Sequence, residues 1–158
     1  MSNYLGIAAV TASIAEIVSD AVTSKVPAAT VTYAHPSTLT VASGPQVNLF
    51  LYQVTPSAAL RNQHEPHRTG SGHLARRPIA PVELHYLMSA HGDDTAFEPQ
   101  ILLGTAVLAL ASQPILTAST ITSALATVSP DLDDSDLANQ TDRVRISHAP
   151  LPVEELTR

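Results

Sequence analysis

The chain has 158 residues, a formal net charge of −6 and no cysteine. That length suits one domain with its own core, and an apolar content of 44% excludes a disordered chain. The missing cysteines exclude disulfides, thiolate zinc sites and cysteine nucleophiles and suit a reducing cytoplasm; the acidic balance speaks against nucleic-acid binding by the whole surface.

Tyr4 to Val22 predicts an amphipathic helix, because Ile7, Val10, Ile14, Ile17, Val18 and Ala21 recur at spacings of three and four. No basic residue precedes Leu5 to Val18, and Glu16 and Asp20 interrupt the apolar run, so the segment makes a poor signal peptide. Pro27 closes the helical region. Ala29 to Ala34 is a short β-rich run, and His35 to Pro45 reads as a loop of Ser, Thr, Pro and Gly.

Gln46 to Val54 is the strongest strand. Val47, Leu49 and Leu51 share one face, and Phe50, Tyr52 and Val54 share the other. Both faces are apolar, which predicts a central strand covered on both sides. Ile79 to Ser89 is another strand, with Val82, Leu84, Tyr86 and Met88 on one side and Glu83 and His85 on the other. Pro78 and Pro81 weaken its start.

Phe97 to Ser112 predicts a helix with Pro99 in its first turn. It is apolar nearly all round and should be buried in the core or against a neighbour. Leu116 to Val128 is a further helix, with Thr117 as its N-cap. Pro99 to Pro130 carries no charge, yet only Ile101 to Ala111 is strongly apolar. A membrane span needs about 20 apolar residues in a row, so a buried helix is expected and no membrane partner. Asp131 to Gln140 is acidic and turn-like. Asp142 to His148 alternates and predicts a fourth strand. Pro150 to Arg158 begins a helix, with Glu154 and Glu155 near the positive end of its dipole. That helix stops after about two turns, so a further C-terminal portion is expected. The expected fold is a single α/β domain, a mixed sheet of four or more strands with helices packed on it.

Thr55 to Pro78 forms a long polar arm between two strands, and such connections are usually functional or disordered. Arg61, Arg68, Arg76 and Arg77 are four of the chain's eight basic residues. With Glu65, residues 61–77 sum to +3, leaving −9 elsewhere. A basic arm on an acidic body suits contact between copies; a solvated loop with idle arginines is the plain alternative. Gly70, Ser71 and Gly72 make a flexible tip.

The chemical motifs are sparse. His64, His67 and His73 cluster in the arm, but no second ligand pair supports a metal shell. His91, Asp93 and Asp94 follow a strand and suit a helix start better than acid–base work. Asp131, Asp133, Asp134 and Asp136 lack the glycine and terminal glutamate of a calcium loop. No nucleophile elbow, phosphate loop or dinucleotide fingerprint occurs. Catalysis and a cofactor are therefore not expected.

The segments "VNLFLYQVTPSAALRN", "ARRP", "VELHYLMSAHGDD" and "EPQILLG", with the opening "MSNYLGIAAVTASI" and the closing "APLPVEELTR", are collinear over nearly the whole chain. In that order they resemble the N-terminal domain of the tail-terminator (cap) proteins of extracellular contractile injection systems, which are phage-tail-like particles. The resemblance implies an α/β protein that forms a six-fold ring of identical copies. Such a ring sits on the inner tube protein distal to the baseplate and engages the last layer of sheath protein. Members usually continue past the "PVEEL" helix, and their arm varies widely. The interface candidates are Leu60, Arg61, Asn62, Arg68, Arg76, Arg77, Glu154 and Glu155. The alternative from another class is a small-ligand or metal-binding enzyme domain that uses the histidine-rich arm.

Overall fold

The computed structural model describes residues 3–38, 44–60, 70–71, 73, 80–128, 130–132, 134–140 and 143–149. Its elements run α1 (Gly6–Thr23), β1 (Thr30–Thr32), β2 (Gln46–Pro56), β3 (Val82–His91), α2 (Glu98–Ser112) and α3 (Ala118–Val128).

The apolar stripe of α1 organises the core. Ten of its 18 residues are buried, Val18 and Val22 completely. Its small residues, Ala9, Ala12, Ser13 and Ala15, let α2, α3 and β1 pack closely around it. Ser13 keeps its buried hydroxyl satisfied by donating to the Ala9 carbonyl at 2.8 Å. By length and composition α1 would also suffice to cross a membrane. In this fold its apolar residues join Leu102, Ala106, Leu116, Ile121 and Leu125 in one core.

The sheet has three strands in the order β1–β2–β3, with β1 parallel to β2 and β3 antiparallel to it. It is mixed and β2 is central, as the sequence predicts. The expected count of four or more strands is corrected to three among the described residues. Residues 143–149 make only an isolated bridge, Arg145 opposite Ile115. Two hydrogen bonds frame it: Leu116 N–H to the Val144 carbonyl at 3.0 Å, and Ile146 N–H to the Pro114 carbonyl at 2.8 Å. The partner is the short link between α2 and α3, and Pro114 offers no N–H, so a ladder cannot extend. The alternation of Val144 and Ile146 survives as packing against the core.

A β-bulge resets the faces of β2. Leu51 lies opposite Tyr86 and Gln53 opposite His85, which leaves Tyr52 as the extra residue. Directly paired residues share a face. Val47, Leu49 and Leu51 therefore join Ala90, Met88 and Tyr86 on the helix-covered side. Phe50 and Gln53, paired with Leu87 and His85, look the other way. The Tyr52 ring, 6.0 Å from that of His85, joins them. Val54 pairs with Leu84 and so returns to the helix side. The predicted grouping of Phe50, Tyr52 and Val54 is thus broken by one inserted residue.

Cover on the second side of β2 is also only partial, contrary to expectation. Asn48 is fully buried there, accepting from the Thr32 hydroxyl and donating to the Ala34 carbonyl, each at 3.0 Å. Beyond it, Phe50 is half-buried and Tyr52 is exposed, and no helix among the described residues lies on them. Among the described residues the architecture is two layers, with the α-helices on one sheet face. Asn48→Leu strands the Ala34 carbonyl and the Thr32 hydroxyl, so it is expected to lower stability by about 1–3 kcal/mol in urea unfolding.

Candidate assembly surfaces

The turn into α2 is built by a reciprocal cap. Asp93 accepts the Thr95 N–H at 2.8 Å, and its own N–H donates to a Glu98 carboxylate oxygen at 2.8 Å. The Thr95 hydroxyl also donates to Asp93 at 2.6 Å. The Thr95 hydroxyl, and then the Thr95 N–H, hold the Asp93 carboxyl below its ordinary pKa. A Cβ at Gly92 would stand 2.9 Å from the Glu98 Cβ, so this close approach requires glycine. Asp93 thus starts the helical region, the role its position predicts. His91 turns aside, with Nε2 3.3 Å from the Ser89 hydroxyl.

Helix α2, expected to be buried in the core or against a neighbour, meets the core on one side only among the described residues. Leu102, Ala106 and Leu110 face the core. Ile101, Gly104, Leu108 and Ala111 recur at spacings of three and four on the opposite side, and all are exposed. Leu103 and Val107 are exposed beside them. Leu108 is 72% accessible and Phe97, at the N-terminal end of the helix, 67%. The exposed apolar side chains of this face present on the order of 500 Å², toward the upper end of the largest patch on a typical monomer.

Two residues of this face reduce the stability of the isolated chain. Phe97 holds the left-handed backbone conformation, with φ of 56°, at a cost of about 1–2 kcal/mol for a non-glycine residue. Gly104 sits mid-helix, where a Cβ would meet nothing within 4 Å. Glycine there costs about 0.5–1 kcal/mol relative to alanine. Gly104→Ala is therefore expected to stabilise the isolated chain by that amount, and Phe97→Gly to relieve strain of about 1 kcal/mol, both read as a higher denaturant midpoint at constant slope.

The second surface is the side of the sheet that no α-helix among the described residues covers, its open side. Phe50, Tyr52, His85 and Leu87 form its middle, and His35 stacks edge-on against Phe50 with ring centroids 4.8 Å apart. Glu83 is the one carboxylate among the residues of β2 and β3. Behind the sheet, the Tyr86 hydroxyl lies 2.7 Å from that of Thr11. Burial raises the Tyr86 pKa, against the opposing effect of that hydrogen bond. This contribution to stability is complete below pH 10 and is lost as pH rises through the raised value.

Of the sequence-derived interface candidates, Leu60 is exposed in the turn after β2. Arg61, Asn62, Arg68, Arg76, Arg77, Glu154 and Glu155 lie outside the described residues, as do His64 and His67. Among the described residues no group of three His, Asp or Glu side chains is arranged to hold a metal ion. Part of the acidic run closes the fold on itself. Asp136 accepts the Asn3 N–H at 2.8 Å, and the Asp134 carbonyl accepts the Asn3 side-chain amide at 2.6 Å. A concavity of about 300 Å³ lies beside α3, lined by Leu116, Ile121, Leu137, Val144, Gln140 and Arg143 among others. Among the described residues Arg143 is the one ionisable group in that lining.

Sequence reasoning marked the arm and missed Tyr52, Leu87, Phe97 and Leu108. The available signal was a helix apolar nearly all round, with a central glycine and no charge after Glu98. The fold defines the class: a single α/β domain that, among the described residues, exposes an apolar side of α2 and one side of its sheet. Residues 9–158 match the family model described as the Pvc16 N-terminal domain, and the chain belongs to that family. Membership points to a structural role related to contractile injection systems. No curated protein matches the chain, and no solved structure does.

Proposed function

We propose that this chain is the tail terminator, or cap, of a contractile injection system. Six copies close into a ring on the distal end of the inner tube, block further subunit addition and engage the last layer of sheath. The mechanism is burial of complementary surface, with no bond chemistry and no cofactor. Family membership over residues 9–158 supports the setting. The observation that carries the reading is α2, a helix with no charge after Glu98 in its first turn, whose outer side no described residue covers, at a local cost in stability. Heterologous contacts between copies generate a ring when their rotation closes.

Light scattering with negative-stain imaging of the purified chain tests this. The expected result is a ring of several copies. A monomer at high concentration that also fails to assemble when tube is added contradicts it.

A further inference from the structure

We propose that the outer face of α2 on one copy docks on the open sheet face of the next copy, so that a second copy of this chain supplies the missing helical layer. The inference rests on the ring reading above and names the two surfaces that meet. Each surface lacks what the other offers. Among the described residues the sheet carries α-helices on one side, while Phe50, Tyr52 and Leu87 look outward on the other. Helix α2 buries Leu102, Ala106 and Leu110 and leaves Ile101, Val107 and Leu108 uncovered.

Charge points to a second copy as the occupant. The chain as a whole is acidic, at −6, so copies repel when general surfaces meet. Residues 99–130 carry no charge, and the open sheet face carries Glu83 as its one carboxylate within β2 and β3. These are the surfaces on which two copies approach without like-charge opposition. The exposed side of α2 alone supplies about 500 Å² of the roughly 1,000 Å² that a specific interface needs.

Geometry then fixes the type of contact. Helix α2 lies across β2 and β3 on the inner side of the sheet and exposes the side turned away from it. The open sheet face looks the opposite way. The two surfaces sit on opposite sides of one molecule, so their union is head-to-tail and leaves one free face of each kind on every dimer. Such a contact propagates until it closes. Gly104, with empty space where a Cβ would stand, lets the helix backbone approach the neighbour's sheet.

The test uses two surface variants of the full chain. Leu108→Asp removes the helix side and Tyr52→Asp the sheet side; both residues are exposed, and thermal unfolding checks that each variant remains folded. Each alone is expected to lose ring formation at least tenfold in concentration dependence. Mixed, they should form a one-to-one dimer and nothing larger, because one intact pairing remains. The chain has no cysteine, so Leu108→Cys and Tyr52→Cys provide a milder second measurement. A short bis-maleimide should join the mixed cysteine variants as a dimer, with little product from either alone. A parent chain that stays monomeric overturns the ring reading and this contact together. A parent that forms rings while Leu108→Asp still does, or mixed cysteine variants that fail to cross-link within such rings, overturns the contact and leaves the ring standing.

Discussion

Leu102→Ala and Leu108→Ala, six residues apart on one helix, are expected to give opposite results. Leu102 is fully enclosed, whereas Leu108 is 72% accessible. Emptying the Leu102 site removes transfer free energy and leaves a cavity, so its loss should cost about 2–5 kcal/mol. Domains of this kind are stabilised by about 5–15 kcal/mol in total, so the loss should shift the urea midpoint strongly. Leu108→Ala should stay within about 0.5 kcal/mol in the monomer while weakening assembly. If both variants unfold alike, α2 has no free face, and the docking surface described for it does not exist.

Much of this architecture was legible in the residues. The stripe of Ile7, Val10, Ile14 and Val18 gives α1, and the apolar runs give β2, β3 and α2, with ends within a few residues. Thr117 was legible as the cap of α3, where its hydroxyl accepts the Thr120 N–H at 3.2 Å. Three things were not legible, each for a physical reason. The bulge at Tyr52 depends on register with β3, which a single strand's pattern does not contain. The segment of Val144 and Ile146 alternates like a strand, but strands exist by pairing, and Pro114 sits in its one partner among the described residues. Hydrophobicity marked α2 for burial in the core or against a neighbour without saying which of its sides the core takes. For the candidate site, the sequence marked a basic arm, which lies largely outside the described residues. The apolar surface on α2 emerged when the fold assigned its sides.

The second large effect is expected from Arg76→Glu with Arg77→Glu. Four arginines of the arm concentrate positive charge on an otherwise acidic chain. Arginine suits this contact because its planar fork pairs with carboxylates in two-pronged fashion. An exposed pair contributes about 0–1 kcal/mol, so one substitution can be silent. A desolvated pair should cost about 2–5 kcal/mol when one partner is removed. The double reversal should therefore weaken ring formation or tube capping and leave thermal unfolding unchanged. Raised salt should partly reproduce it in the parent, since screening shortens the reach of exposed charges. Unchanged ring yield and unchanged tube lengths at physiological salt reduce the arm to a solvated loop.

The most direct measurement of capping is the length distribution of inner tubes polymerised with and without this protein, imaged by negative stain. A terminator should shorten the tubes in proportion to its concentration and place a ring at one end of each, always the same end. Tubes of unchanged length with bare ends, in the presence of saturating folded protein, contradict the proposed function.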